Sequence, residues 1–310
     1  MILTALGAFA FAVAAFALAV RYLPLTNQIL AVTAAFYPIF AVGSPLALIL
    51  FAASGHWIAA GAAGALTVAV IGVRLPSYIR GSTAPHHTVR LRAMSANLRF
   101  GMARPDALVR QAKRHADVVA VQELTPELAE SLSALDASFP HRVLDARKGA
   151  AGVGIWSRFP LEQATRIDGY QIAAVSARIR LENVSAAPTV VVVHLPVPFP
   201  RPLRLWRRDL NRLAGDLKEF AASAGSDAVL VAGDWNATSD MSDFRRLLRD
   251  GYHDATTQAG AGLKPTFPSY APFLGLDHIL TYQATATSVR TVRIRCSDHR
   301  ALVAEINLAA

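Results

Sequence analysis

Aspartate and glutamate are absent from the first eighty residues of this 310-residue chain, where Arg21, Arg74 and Arg80 are the only Lys, Arg, Asp or Glu side chains. All 22 acids fall beyond Arg80, and one uniform soluble fold does not account for that division. Cysteine occurs once, at Cys296, which excludes an internal disulfide framework and a cysteine-based zinc site. Lysine is scarce, with 4 residues against 27 arginines. The net charge of +9 suits partners that carry phosphate, either nucleic acid or an anionic membrane surface. The same Arg and Ala enrichment follows from the base composition of a gene, so charge alone selects nothing. Several catalytic fingerprints are also missing: there is no glycine-rich P-loop, no GxSxG elbow and no HExxH helix. Gly152-Val153-Gly154 lacks the GxGxxG spacing of a dinucleotide site and lies in a strand pattern.

What the acid-free region does contain is apolar. Ile2–Val20, Ile29–Ala53 and Trp57–Val73 each approach the roughly 20 residues that carry a helix across a hydrocarbon core. Arg21, Thr26, Asn27 and Gln28 divide the first two stretches, and Ser54, Gly55 and His56 divide the others. Tyr22, Trp57 and Tyr78 sit at the ends, where amphipathic rings favour the interface. Pro38 and Pro45 predict a kink in the middle span. A cleaved signal peptide would have a basic start, but no Lys or Arg precedes Arg21. A soluble helical hairpin would need polar faces, and these stretches are apolar all round. Three transmembrane helices are therefore expected in residues 1–80. The arginines flanking the first and third spans place the C-terminal domain in the cytoplasm by the positive-inside rule. Residues 81–88 (GSTAPHHT) read as a linker, and 89–310 as one catalytic domain.

In that domain strand-like runs alternate with helical patterns. Strands are expected at Val89–Ala96, Val118–Val121, Gly152–Trp156, Ala173–Leu181, Thr189–Leu195, Ala228–Ala232, Leu276–Thr281, Val289–Arg295 and Leu302–Ile306. Helices are expected at Arg104–His115, Pro126–Leu135, Pro202–Ala222 and Ser242–Arg249. In the third of these, Leu203, Trp206, Leu210, Leu213, Leu217 and Phe220 form one apolar stripe. Arg201, Arg204, Arg207, Arg208 and Arg212 crowd its first half, either as a solvated basic face or as a phosphate-contacting one.

The chemistry gathers at strand ends. MSANLRF carries Asn97, VVAVQE closes on Glu123, and VVVVHL carries His194. VLVAGDWN delivers Asp234 and Asn236, GLDHIL sets Asp277 beside His278, and VRIRCSDH sets Asp298 beside His299. Singly, each is an ordinary turn or cap residue. Strand ends on one edge of a sheet converge, however, and carboxylates with Asn and His favour a hard cation such as Mg²⁺ or Mn²⁺. Metal-assisted hydrolysis of a phosphate ester is the chemistry this set would perform best.

These residues resemble the endonuclease/exonuclease/phosphatase (DNase I-like) superfamily over most of the domain, with GDWN and the terminal SDH the most specific pieces. HLPVPFP, TFPSY and LGLDHIL are similar to its bacterial membrane-anchored members of the YafD-like type. The resemblance implies an α/β (α+β) four-layer sandwich, two mixed β-sheets flanked by helices. It also implies roles: Glu123 binds the metal, helped by Asp298 and oriented by Asn97. Asp234 activates or holds the attacking water, and Asn236 stabilises phosphoryl oxygens. His299 contacts the phosphate with its ring held by Asp277, and His194 is a second donor. Some relatives carry an acid two positions after the Asn, where this chain has Arg99, so a second tight metal site is not expected. Arg99, His278, Arg204 and Arg208 are further candidates for substrate contact, although a regular strand would turn His278 to the face opposite Asp277.

The reading is thus a membrane-anchored, Mg²⁺-dependent phosphoesterase acting on nucleic acid, a phospholipid head group or a soluble phosphate ester. No single-strand stacking platform or DNA-reading helix is present, and no protein partner is inferable. LDHIL and GDWNAT differ from the SWCDR-like and GDxNYR-like sequences of the inositol-phosphatase subgroup. An inactive scaffold or sensor is the alternative; it would be expected to have lost a metal- or water-binding residue, and none is missing. A channel would need ionisable residues within the spans, and they hold none.

Overall fold

The computed structural model describes residues 1–81, 88–181 and 187–309, so the linker reading of 81–88 lies, but for its two ends, outside the described residues. The apolar region forms α1 (Ile2–Val20), α2 (Gln28–Ala35), α3 (Tyr37–Ala41), α4 (Gly43–Ala53) and α5 (Trp57–Arg74). Two helices, Ile2–Val20 and Trp57–Tyr78, are long and apolar enough to cross a membrane, and α2 with the segment Tyr37–Ala53 passes the same test of length and composition if counted as one. Small residues let α1 and α4 approach closely. A Cβ on Gly43 would sit 2.6 Å from the Ala10 carbonyl oxygen, and Ala14 and Ala47 are fully buried.

The middle stretch is bent beside Pro38, more sharply than a simple kink. Its two parts meet at 67°. The Asn27 side chain caps α2 by accepting from Leu30 N–H at 3.0 Å, and Phe36 ends it outside helical geometry just before Pro38. Pro38 lies at the start of the next helix, and α2 also shares a buried surface. Ala31 and Ala34 of α2 are buried in one cluster with Trp206, Trp235 and Phe244 of the following domain. Arg21 at the end of α1 and Arg74 at the end of α5 both pair with the buried carboxylate of Asp240, Arg21 at 2.9 Å.

The domain that follows runs β1 (Thr88–Asn97), α6 (Pro105–His115), β2 (Val118–Gln122), α7 (Pro126–Ser131), β3 (His141–Asp145), β4 (Val153–Ser157), β5 (Leu161–Arg166), β6 (Val175–Ile179), β7 (Thr189–His194), α8 (Leu203–Ala224), β8 (Val229–Asp234), α9 (Ser242–Arg246), β9 (His253–Asp254), α10 (Ala255–Gln258), β10 (Asp277–Tyr282), β11 (Ala284–Arg293) and β12 (Arg300–Ala309). Two six-stranded sheets result, ordered β11-β12-β1-β2-β4-β3 and β5-β6-β7-β8-β10-β9. Both are mixed, with β1–β2 and β7–β8 parallel and the remaining pairs antiparallel.

Side-chain parity builds the four layers. Leu91, Ala93, Val118, Ala120, Val190, Val192, Leu230, Ala232 and Ile279 pack between the sheets. Their neighbours of opposite parity turn outward. Met94, Val119 and Val121 meet Leu108 and Ala112 of α6, while Val191, Val229 and Val231 meet Leu210, Leu213 and Leu217 of α8. The stripe read from the α8 sequence is core packing.

Candidate active site

The parity that fills the inter-sheet layer also aims the polar strand ends. Counting by twos from Ala93, Val192, Ala232 and Ile279 leads to Asn97, His194, Asp234 and Asp277, all buried. The apolar layer therefore ends in a polar one at the edge of both sheets. Glu123 has the wrong parity for this, one step beyond inward-facing Gln122. Its backbone lies in the left-handed region, with φ 59°, which reverses its direction and turns it to the cluster. Asn236 follows Asp234 with φ 46°. Gly233 allows β8 to lie close to β7, since a Cβ there would stand 1.9 Å from the Val193 carbonyl oxygen.

Asn97 is the hub. Its Nδ2 donates to Glu123 Oε1 at 3.0 Å and to Asp234 Oδ2 at 2.9 Å, and its Oδ1 accepts from Arg99 N–H at 2.8 Å. The other Glu123 oxygen accepts from Phe100 N–H at 2.6 Å. His194 donates from Nδ1 to the Ala150 carbonyl at 3.1 Å, which turns Nε2 to Glu123 and Asp234 at 3.9 and 3.8 Å. His299 donates from Nδ1 to Asp277 Oδ2 at 2.8 Å, leaving Nε2 3.7 Å from Asp234 Oδ2. A carboxylate only accepts, so the Asp277 contact fixes the proton on Nδ1.

The electrostatics follow from burial and these neighbours. Burial works against charge on His299, but Asp277 and Asp234 outweigh it and lift the ring to about 10. Burial, with Asp277, pushes the Asp234 carboxyl above its usual range, although His299 and His194 pull the other way. The second oxygen of Asp277 is buried without a hydrogen-bond partner among the described residues, an acceptor left for water or ligand.

Asp234, Asp277 and His299 lie close enough to hold one ion, with ligand atoms within 4.8 Å of one another. A ring that donates from Nδ1 and stays charged has no lone pair to offer, so His299 suits an anion better than a cation. Glu123 and Asp298 are further carboxylates of the region, and each Glu123 oxygen accepts one hydrogen bond among the described residues. Asp298 is held loosely, with Arg99 Nε at 3.9 Å. Carboxylate oxygens are the donor type that a hard divalent cation takes.

Not every expected residue joins the cluster. His278 faces away, as its parity requires, and its ring hydrogen-bonds outside the cluster. Nδ1 donates to Asp254 Oδ2 at 2.5 Å and Nε2 to the Ala237 carbonyl at 3.0 Å, so the buried ring is an imidazolium committed to the core and unavailable to substrate. Arg204 and Arg208 stand exposed on α8, with no hydrogen bond or ion pair to the cluster among the described residues. Asn236 commits one amide hydrogen to the Leu195 carbonyl at 2.9 Å. Two contributors went unread in the sequence. Ser297 accepts from His299 N–H at 3.0 Å and donates to the Asn97 carbonyl at 2.8 Å, tying two strand ends together. Phe267 packs its ring 5.0 Å from His299. The S of SDH and the F of TFPSY were the available signals.

The profile of the Endonuclease/Exonuclease/phosphatase family matches residues 94–299. The uncharacterized protein YbhP of Escherichia coli (strain K12) is 30% identical over 172 residues, 52% of this chain and 64% of that one. The chain thus spans less than two thirds of that curated relative. Among solved structures, TDP2 of D. rerio complexed with single strand DNA product has a TM-score of 0.59 at 18% identity, covering 70% of this chain and 99% of that one. The 3'-5' exonuclease NExo from Neisseria Meningitidis has a TM-score of 0.56 at 18% identity, covering 69% and 98%. These two likenesses show a shared fold.

Proposed function

The chain belongs to the endonuclease/exonuclease/phosphatase family, and from that premise we propose that it is a membrane-anchored, metal-dependent phosphoesterase, hydrolysing phosphodiesters by in-line attack of water. The observation that carries this reading is the convergence of Asn97, Glu123, His194, Asp234, Asp277 and His299 at one end of the inter-sheet layer, with His299 held charged by Asp277. That convergence weighs against an inactive scaffold.

Each side chain has a task its surroundings suit it for. Asp234, its carboxyl raised toward neutrality, accepts the proton as a water oxygen bonds to phosphorus. His299 donates from Nε2 to a non-bridging oxygen and stabilises the charge that grows there. As the bond from phosphorus to the leaving oxygen breaks, His194, whose Nε2 faces Glu123 and Asp234, lies on the side where that oxygen departs, and the oxygen takes its proton from solvent. The products are an alcohol and a phosphomonoester. Asn97 fixes the positions of Glu123 and Asp234 relative to each other, and the second amide hydrogen of Asn236 serves the phosphoryl group. Glu123 and Asp298 would hold Mg²⁺ or Mn²⁺, which when bound supplies Lewis-acid charge to the phosphoryl oxygens.

Purified protein should cleave a soluble phosphodiester with Mg²⁺ or Mn²⁺ and lose that activity in EDTA. Full activity in EDTA would remove the metal from the account. The proposed anchor has three spans, residues 1–80, with the catalytic domain at 89–310 in the cytoplasm. Arg21 and Arg74 support that orientation by meeting on the same side, at Asp240. A reporter fused after Ala310 should behave as cytoplasmic, and an exported signal would reverse the topology.

A further inference from the structure

The loops that carry the site are also the loops that touch the anchor. Gln28 Nε2, at the start of α2, donates to the Arg201 carbonyl at 2.8 Å, in the segment that leaves His194. Arg21 and Arg74 hold Asp240, four residues beyond Asn236, and four residues of chain reach at most about 14 Å. Phe36, immediately after α2, packs on Phe273 with ring centroids 5.7 Å apart. Phe273 belongs to the segment leading into Asp277, in which Ser269 N–H donates to the Asp298 carbonyl at 2.6 Å. The apolar helices therefore adjoin the mouth of the cleft rather than the opposite end of the sheets.

These same loops keep large apolar rings in the open. Phe199 is 55% exposed, Tyr270 77% and Phe273 44%, and through Phe36 this rim is continuous with the anchor. Aromatic rings in such a place lower their energy at a bilayer interface. Beside them, Arg201, Arg204 and Arg208 are exposed and pair with no carboxylate among the described residues. Unpaired arginines at a membrane boundary attract anionic head groups. An apolar rim, a basic flank and a hydrolytic cleft thus share one border with the spans.

We infer that the cleft opens at the bilayer surface and that its substrate is a phosphodiester carried by a membrane lipid. The inference rests on the phosphoesterase reading above and narrows its substrate class. Phe199 and Tyr270 enter the leaflet and touch lipid tails, while the reacting phosphorus faces His299 and Asp234 from the mouth of the cleft. Water adds to phosphorus and one ester P–O bond breaks. The leaving alcohol takes up a proton and the new phosphomonoester releases one to solvent.

The test reconstitutes the full chain in vesicles of phosphatidylcholine containing phosphatidylglycerol, a phosphatidylinositol phosphate and sphingomyelin. Turnover of those lipids is compared with turnover of plasmid DNA and of bis(p-nitrophenyl) phosphate, for wild type and for the double variant Phe199→Ser, Tyr270→Ser. Wild type should cleave a vesicle lipid in preference to DNA. The variant should lose about tenfold or more on vesicles, as expected when large rings no longer leave water, with unchanged turnover of the soluble diester. The inference is overturned if the soluble diester is cleaved while the lipids are untouched, if DNA is preferred, or if the variant cleaves vesicle lipid as fast as wild type. Absence of soluble-diester turnover by wild type would instead remove the phosphoesterase reading, and the inference with it.

Discussion

Asp234→Asn is expected to lower soluble-phosphodiester turnover by roughly a hundredfold to ten-thousandfold, the usual contribution of a positioned acid or base, while its melting temperature in chelator equals or exceeds that of wild type. The two effects have one cause. Asp234 is buried, and its carboxyl is raised by burial and by Asp277. A carboxyl with a raised folded value is disfavoured as an anion in the native state, so it costs stability as pH rises from its ordinary value through the raised one. Asparagine keeps the shape and one acceptor for Asn97 or Asn236, removes the charge and removes that cost. Strain of this kind belongs at a working site. Parallel turnover and thermal unfolding curves decide the matter. Undiminished turnover would end the role of Asp234 as a base, and a collapsed melting temperature would end the claim that its charge is held at a cost.

Asp254→Asn is expected to act the other way, leaving the chemistry in place and weakening the fold by about 3–5 kcal/mol, the usual result of orphaning a buried charge. His278 donates from both ring nitrogens, one of them to the Asp254 carboxylate. Asp254 also accepts from Thr256 and Thr257 N–H at the start of α10. Burial opposes charge on both partners, but their mutual attraction wins: Asp254 is lowered and His278 raised. The sign for each follows. Stability from Asp254 is present above the ordinary carboxylate value and lost as pH falls through its lowered one. Stability from His278 is full below the ordinary imidazole value of about 6.5, fades above it, and is gone once pH passes the raised value. Urea unfolding from acid to alkaline pH should therefore give wild type a stability maximum between those ordinary values, and Asp254→Asn a lower, flatter profile. Equal profiles would contradict a buried ion pair at this position.

Much of this molecule was legible because apolar alternation determines both layers and direction. The strands around Val118, Thr189 and Ala228 were readable from β-branched runs, and their parity aims His194 and Asp234 into the cleft. Edge strands were not legible. Leu161–Arg166 exposes most of its side chains and His253–Asp254 has only two residues, so neither carries an apolar pattern. Glu123 was found through its place after a strand, whereas the left-handed turn that aims it has no sequence signature. The partner of His278 lies 24 residues away in sequence, beyond any local signal. The contacts of α2 were not legible either, since Ala31 and Ala34 share a buried cluster with Trp206 and Trp235, both far away in sequence.

The central claim is that this cleft hydrolyses phosphodiesters with a metal and Asp234. Turnover of bis(p-nitrophenyl) phosphate by purified wild type and Asp234→Asn, each with Mg²⁺ and each in EDTA, tests it most directly. Hydrolysis by wild type with Mg²⁺, near-absence in the other three conditions and intact unfolding transitions are the expected results. Hydrolysis that persists in EDTA and in Asp234→Asn would contradict the claim.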